Sequence, residues 1–350
     1  MNDRKKRVLF ICGSMNQTTQ MHQIATELPE CQVFFTPHYS TGMMDLLRRL
    51  NLLEFTILGN QYFEKCTLYL RNNNLPVDLR GERHDYDLVV TCSDLVLPGN
   101  IRHRKLVLVQ EGMTDPETWL YRLVRLFPLL PRWLSGTAAM GTSNQFERFC
   151  VASEGYRDLF VRKGVDPEKI VVTGIPNFDN CSAYLNNSFP HHDFVLVCTS
   201  DTRETYQYEN RKKFILKAVE IAGTRKLIFK LHPNEQKERA TREIRRHAPG
   251  ALVYTEGNTE QMIANCTTLI TRFSSTVYVG LALGKEVYSD FNVDELKLLT
   301  PLQNGSAARN IATVCRQMLG TDSLARGRRG KRHSSPIRRY AEALFPRLST

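Results

Sequence analysis

"TRFSSTVYVGLALGK", residues 271–285, is the stretch on which the fold of this chain turns. It starts as a β-branched segment and ends as a helix closed by Gly284-Lys285. Arg272, Ser274, Ser275 and Thr276 stand where the strand hands over to the helix. A helix N-terminus presents unpaired N–H groups and the positive end of the helix dipole. Hydroxyls and a guanidinium gathered there make a seat for phosphate. The plainer alternative is that Ser274 or Ser275 only caps the helix.

Outward from this stretch the same alternation repeats. "FVLVCTS" (194–200) precedes a helical run from Glu204 to about Ala222, and "KLIFKLHP" (226–233) precedes a charged helix ending near His247. "ALVYTE" (251–256) precedes "TEQMIANC", and "EVYSDF" (286–291) precedes the helix "SAARNIATVCRQML". Earlier in the chain, "RVLFICG" (7–13), "CQVFFTP" (31–37), "YDLVVTCSD" (86–94), "KLVLVQEG" (105–112), "FCVAS" (149–153) and "KIVVTGIP" (169–176) are further strands. Apolar strands alternating with amphipathic helices mean parallel sheets built from βαβ crossovers. The fold class is therefore α/β, with two Rossmann-like domains. The expected divisions are 1–178 for an acceptor-side domain, 179–193 for a linker, 194–325 for a donor-binding domain and 326–350 for a basic tail with a terminal helix. Such tandem sheets make a cleft between their carboxyl edges, where open α/β sheets bind ligands.

Composition sets the class. The 350 residues are 42% hydrophobic and 24% charged, ordinary values for a globular protein. The start, "MNDRKKRVLF", runs from a basic cluster straight into a strand and does not read as a signal peptide. No apolar run approaches the ~20 residues of a membrane span. The nine cysteines are scattered without a C-x-x-C pair, the pattern of buried thiols in a reducing compartment, so the cytoplasm is expected. The net charge is +11. Seven basic residues and no acid fall in "RGRRGKRHSSPIRR" (326–339). Such charge suits nucleic acid, an anionic membrane surface or a phosphorylated substrate, or it is a solvated tail.

Several motifs resemble those of the GT-B glycosyltransferases and their relatives, the UDP-N-acetylglucosamine 2-epimerases and the CDP-glycerol- and capsule-type transferases. "VDPEKIVVTGIPNFD" (165–179) looks like their hinge-proximal signature. "TRFSSTVYVGLALGKEV" resembles their nucleotide-diphosphate segment, and "KLHP" (230–233) is similar to a Lys-x-His-Pro element of the glycerophosphate and capsule transferases. The resemblance covers most of the chain. It implies a GT-B arrangement and a nucleotide-sugar donor as substrate, with no cofactor and no metal. The departures count as well. Where the epimerases place a carboxylate pair after the Ser/Gly turn, this chain has Tyr278 and Val279. Their active histidine is matched by Asp201, and the Glu of their Val-Glu-Ala-Gly run by Gln110. These differences argue against 2-epimerisation, which needs proton removal at a sugar carbon.

The candidate site follows. Arg203, Lys230, Arg272, Ser274, Ser275 and Thr276 are the expected donor phosphate ligands. His232 sits at a strand end before Pro233 and is expected to contact phosphate or assist the leaving group; a structural role is its alternative. Arg203 has the alternative of a surface arginine bridging Glu204 or Asp201. Glu111 ends a first-domain strand before Gly112 and is the expected base for an acceptor hydroxyl. Its alternative is a cap for the following helix, and Asp94 is a second candidate of the same kind. The loop at Gly13 and Ser14 lacks the G-x-G-x-x-G fingerprint and is expected to line the acceptor side. "WLYRLVRLFPLLPRWL" (119–134) carries an apolar stripe bordered by Arg122, Arg125 and Arg132. It reads either as a core helix with snorkelling arginines or as an interfacial segment beside a lipid-linked acceptor.

Three functions remain open on sequence alone. The first is transfer of a sugar or alditol phosphate to a cell-envelope glycan or glycolipid. The second is epimerisation or hydrolysis of a nucleotide sugar. The third is nucleic-acid binding through the tail, which lacks a recognisable RNA or DNA module.

Overall fold

A computed structural model describes residues 4–41, 45, 59–127, 130–204 and 208–320. The basic tail 326–350, Thr205 and Tyr206 of "SDTRETY", and Pro128 of the apolar stripe lie outside the described residues.

In chain order the first half runs β1 (Arg7–Cys12), α1 (Met15–Thr26), β2 (Gln32–Pro37), α2 (Asn60–Asn72), β3 (Leu88–Thr91), β4 (Leu106–Val109), α3 (Trp119–Leu126), β5 (Arg148–Val151), α4 (Glu154–Arg162) and β6 (Ile170–Val172). The second half runs β7 (Phe194–Cys198), α5 (Arg211–Ala222), β8 (Leu227–Lys230), α6 (Lys237–His247), β9 (Leu252–Tyr254), α7 (Thr259–Asn265), β10 (Cys266–Ile270), α8 (Thr276–Ala282), β11 (Glu286–Tyr288), α9 (Val293–Leu299) and α10 (Ala307–Leu319). Two sheets result, ordered β2-β1-β3-β4-β5-β6 and β11-β10-β7-β8-β9. Every strand pairing in them is parallel. Helices cover both faces of each sheet, so β3, β4, β7 and β8 are buried along their whole length and read as unbroken apolar runs.

The order of strands reverses beside β1 in the first sheet and beside β7 in the second. Ser14 follows β1, Ser200 follows β7 and Ser274 follows β10, so each loop lies at a switch point, where open α/β sheets bind ligands.

Two boundaries differ from the sequence reading. The helix expected from Glu204 begins at Arg211, because Asn210 caps it by accepting the Lys213 N–H at 3.0 Å. Helix α10, grouped by sequence with the second domain, packs on the first. Its Ile311, Ala312, Cys315 and Leu319 lie in one cluster with Val8, Phe10, Met21 and Val90. Helical spacing puts those four residues on one face, and α1 with β1 supplies the matching apolar surface.

The stretch expected as a linker is ordered. Phe178 and Cys181 are buried, the Gly305 N–H donates to Asp179 O at 2.9 Å and the Ala307 N–H donates to Asp179 Oδ2 at 2.8 Å. One core cluster runs through Phe178 from Leu108 and Tyr156 in the first domain to Tyr278 and Leu196 in the second. The hydroxyls of Tyr156 and Tyr278 meet at 2.5 Å across the domain boundary. All nine cysteines are buried and unpaired. Among the described residues, no helix is long and apolar enough to cross a membrane.

Candidate active site

The first-domain edge of the cleft is built around Glu111, two residues beyond β4. The Ser14 hydroxyl donates to Glu111 Oε1 at 2.5 Å and the Gln17 carboxamide donates to Oε2 at 2.6 Å. Ser14 is also the N-cap of α1, accepting the Gln17 N–H at 3.2 Å. One turn of helix therefore places both donors on the carboxylate. Gly13 makes this possible, because a Cβ there would stand 2.1 Å from Gln17 Oε1. Both donors are neutral. Burial pushes the Glu111 pKa up, the charge of Asp115 adds to it, and the two hydrogen bonds only oppose the rise.

Asp94, the second carboxylate expected here, is fully enclosed. It accepts from the Gly141 N–H (2.9 Å), the Ser143 hydroxyl (2.5 Å) and the Arg132 guanidinium (3.0 Å). It clamps the 132–143 segment and is closed off from solvent. Gln110, matched to an epimerase glutamate, is likewise a buried clip. Its side chain donates to Gly112 O at 2.7 Å and accepts the Ala152 N–H at 2.9 Å.

Across the cleft stand the strand ends of the second sheet. A Cβ at Gly112 would lie 3.6 Å from Ser275 Cβ and 3.6 Å from Phe178, ordinary contact that measures how closely the two edges approach. Ser275 is the N-cap of α8, yet its side chain makes no capping bond. Ser274 does the local work instead: its Oγ lies 2.9 Å from Thr276 Oγ1 and accepts the Thr276 N–H at 3.3 Å. Among the described residues, the Ser275 hydroxyl has no partner. Gly284 ends this helical segment with φ +66°, a left-handed value that glycine adopts without strain.

His232 is half-buried beyond β8. Its N–H donates to Thr199 Oγ1 at 3.1 Å, and its Nδ1 accepts the Asn234 N–H at 3.3 Å with Asp201 Oδ2 3.5 Å away. Burial holds its pKa below the usual value, favouring the neutral ring, while Asp201 opposes. Two residues of α2 that sequence reasoning missed are linked to these groups through charge. Asp201 and Glu111 both bear on Tyr62, whose pKa is raised first by burial, and Lys65 bears on His232. Nothing in the local sequence of α2 marks them, because their neighbours come from other elements. Gln17 was missed as well, although its place three residues after a serine that can cap the helix was a signal for it.

Three of the expected phosphate ligands are engaged elsewhere. Arg203 forms two parallel bonds to Glu243, both 2.9 Å, and lies 3.6 Å from Glu235. It therefore bridges Glu243, not Glu204 or Asp201. Arg272 Nε donates to Asp290 at 2.6 Å, and its guanidinium lies over Phe273. Lys230 is buried, its ammonium donates to Leu231 O at 2.9 Å, and burial lowers its pKa. The two arginines belong to an ionic network with Arg211, Glu209 and Glu235, in which Arg211 donates to Glu235 Oε1 at 2.5 Å. Ser274, Ser275, Thr276 and His232 remain as the second-domain groups open to the cleft.

Ser275 and Thr276 line a cavity of about 720 Å³ with Asn16, Asn177, Asp179 and Glu260, whose walls include neither Glu111 nor His232. Its size is that of an ordinary small-ligand site, and both domains contribute polar groups to it. Among the described residues, no group of three or more His, Cys, Asp or Glu could hold a metal ion.

No protein-family model and no curated protein matches the sequence. Solved structures do match the fold. A UDP-N-acetylglucosamine 2-epimerase superimposes with a TM-score of 0.52 at 14% identity, covering 95% of this chain and 99% of its own. The Neisseria meningitidis UDP-GlcNAc 2-epimerase bound to UDP-GlcNAc gives 0.54 at 12%, covering 89% and 100%. A variant of the wall teichoic acid polymerase TagF, soaked with CDPG, gives 0.50 at 10%, covering 90% and 89%. The chain thus has the GT-B fold that these proteins share, two Rossmann-like domains with parallel sheets and a cleft between them.

Proposed function

We propose that this chain is a glycosyltransferase-like enzyme, metal-independent and inverting. It moves a sugar, or an alditol phosphate, from a nucleotide-activated donor to a hydroxyl of a cell-envelope glycan or glycolipid. The observation that carries this reading is Glu111: a carboxylate held only by neutral donors, with a raised pKa, on the edge that approaches Ser275. A base that takes a proton near neutral pH needs these properties.

The chemistry follows from the two edges. The donor diphosphate lies on the second-domain edge, against Ser274, Ser275, Thr276 and His232. The acceptor hydroxyl lies against Glu111. As the acceptor oxygen bonds to the anomeric carbon, its proton passes to Glu111. The carbon–oxygen bond to phosphate breaks, and its electron pair leaves with the nucleoside diphosphate. For an alditol phosphate, the attack is on phosphorus and the nucleoside monophosphate leaves. His232, whose Nε2 has no partner among the described residues, and the Ser275 hydroxyl stabilise the departing negative charge.

Epimerisation is the second reading, favoured by the likeness to two epimerases. The positions matched to the epimerase carboxylate pair oppose it. Tyr278 and Val279 are fully buried, and Tyr278 is bonded to Tyr156. A thermal-shift and calorimetric screen against UDP-, CMP-, CDP- and GDP-linked donors tests donor binding. UDP-GlcNAc incubated with the protein in D2O separates the two readings. Deuterium at sugar carbon 2 would establish epimerisation and overturn transfer.

A further inference from the structure

Among the described residues, nothing covers the outward face of α3, whose large apolar side chains stand exposed. Trp119 is 75% exposed, Leu126 71% and Phe127 52%. On a helical wheel, Trp119 and Leu126 fall side by side on the side away from the protein, with Leu123 next to them. Tyr121 and Val124 are the residues α3 buries. Exposed apolar residues elsewhere, such as Tyr208 and Leu298, are scattered singly. Here three fall within nine residues, and the half-buried Leu130 and Trp133 follow in sequence.

The helix that carries this face holds two arginines and no carboxylate. Arg122 and Arg125 are exposed on its border, and among the described residues neither pairs with a carboxylate. The nearby acids lie on the loop before the helix: Asp115 accepts the neutral Thr137 N–H at 2.9 Å and keeps its charge, and Glu117 lies 3.7 Å from Lys163. Arg132 is held by Asp94. The face therefore combines an indole, branched and aromatic side chains and two available guanidiniums. An indole at the rim of an apolar patch suits the headgroup level of a bilayer, and guanidiniums pair with lipid phosphates.

We propose that the α3 face, Trp119 to Phe127, docks on a membrane surface rich in anionic phospholipid. The charge complementarity selects this occupant over an apolar protein partner. The proposal deepens the transferase reading, since docking there would bring a lipid-linked acceptor to the edge that carries Glu111. Its test needs no donor or acceptor, so it can fail without that reading failing.

The purified full chain is sedimented with phosphatidylcholine vesicles, with and without phosphatidylglycerol. Binding is expected only where phosphatidylglycerol is present. Replacing Trp119, Leu126 and Phe127 together by Ser should weaken it at least about tenfold. Each of Arg122→Gln and Arg125→Gln should weaken it about fivefold. Should the triple variant fail to fold, the two arginine variants decide. In a Trp133→Phe protein, Trp119 fluorescence should be quenched by brominated lipid. Absent binding by the parent, equal binding to neutral vesicles, or binding that survives in a folded triple variant through the basic tail would overturn the proposal. So would a concentration-dependent dimer lost in the same variants.

Discussion

The two edges of the cleft use charge in opposite ways. The first-domain edge holds one carboxylate, Glu111, and surrounds it with an alcohol and a carboxamide. The second-domain edge holds Arg203, Arg211 and Arg272, and closes each on Glu243, Glu235 or Asp290. By charge count the second edge looks like the anion site and the first looks bland. By availability the order reverses. A charge matched by an opposite charge is a structural element, and breaking the match exposes a buried ion. A charge held by neutral donors keeps its chemistry for a ligand.

The largest effect that could break this contrast is at Glu111. Glu111→Gln should lower kcat about 10²–10⁴-fold with donor affinity close to the parent value. Near-parental turnover with any working donor and acceptor would return Glu111 to a structural role.

The matching change on the other edge should act on stability. Arg211→Ala removes the arginine shared by buried Glu209 and Glu235, leaving Glu235 only Arg203 at 3.6 Å, and should cost about 3–5 kcal/mol in urea unfolding, with turnover per folded molecule little changed. A loss under about 1 kcal/mol would mean that water reaches the network and that its arginines are freer than the geometry says.

Ser274→Ala with Ser275→Ala sharpens the comparison further. Nucleotide affinity should fall by about 1–3 kcal/mol for each phosphate bond lost, with the melting temperature nearly unchanged. Unchanged affinity in the folded double variant would leave these hydroxyls as parts of the turn.

The smallest effect is on pH dependence. The base must be ionised, so the rate rises with pH through the raised pKa of Glu111, above the usual carboxylate range. Gln17→Leu removes a bond that favours the ionised form, so the rising limb should move to higher pH. A limb that stays in place would show that Gln17 does not bear on the titrating group. Stability carries the opposite sign. Between the unfolded and the raised folded pKa the native protein holds a proton that the unfolded chain releases, so the contribution of Glu111 to stability falls as pH rises through that window.

Much of the fold was legible because parallel strands buried on both faces are written as plain apolar runs. "FVLVC" and "LVLV" admit little else between turn residues. Glu111 was legible too, from its place at a strand end before Gly112. The first turn of α1 was partly legible: Ser14 was expected at the site, whereas Gln17, three residues later on the same helical turn, was missed. Tyr62 and Lys65 were not, because the packing that links them to Glu111 and His232 leaves no mark in the sequence of α2.

What the sequence determined by itself was the order of elements, the two-sheet architecture and the short list of polar residues at strand ends. Local hydrophobic period and turn chemistry suffice for those. Only the tertiary structure decided which polar residues are available. Arg203, Arg272 and Asp94 stand at strand ends as Glu111 and His232 do, and nothing local distinguishes them. Their partners, Glu243, Asp290 and the loop at 141–143, lie 18 to 49 residues away along the chain. Whether an ion is neutralised depends on what the fold brings within about 4 Å of it, where Coulomb attraction outweighs hydration, and that distance is set by packing alone.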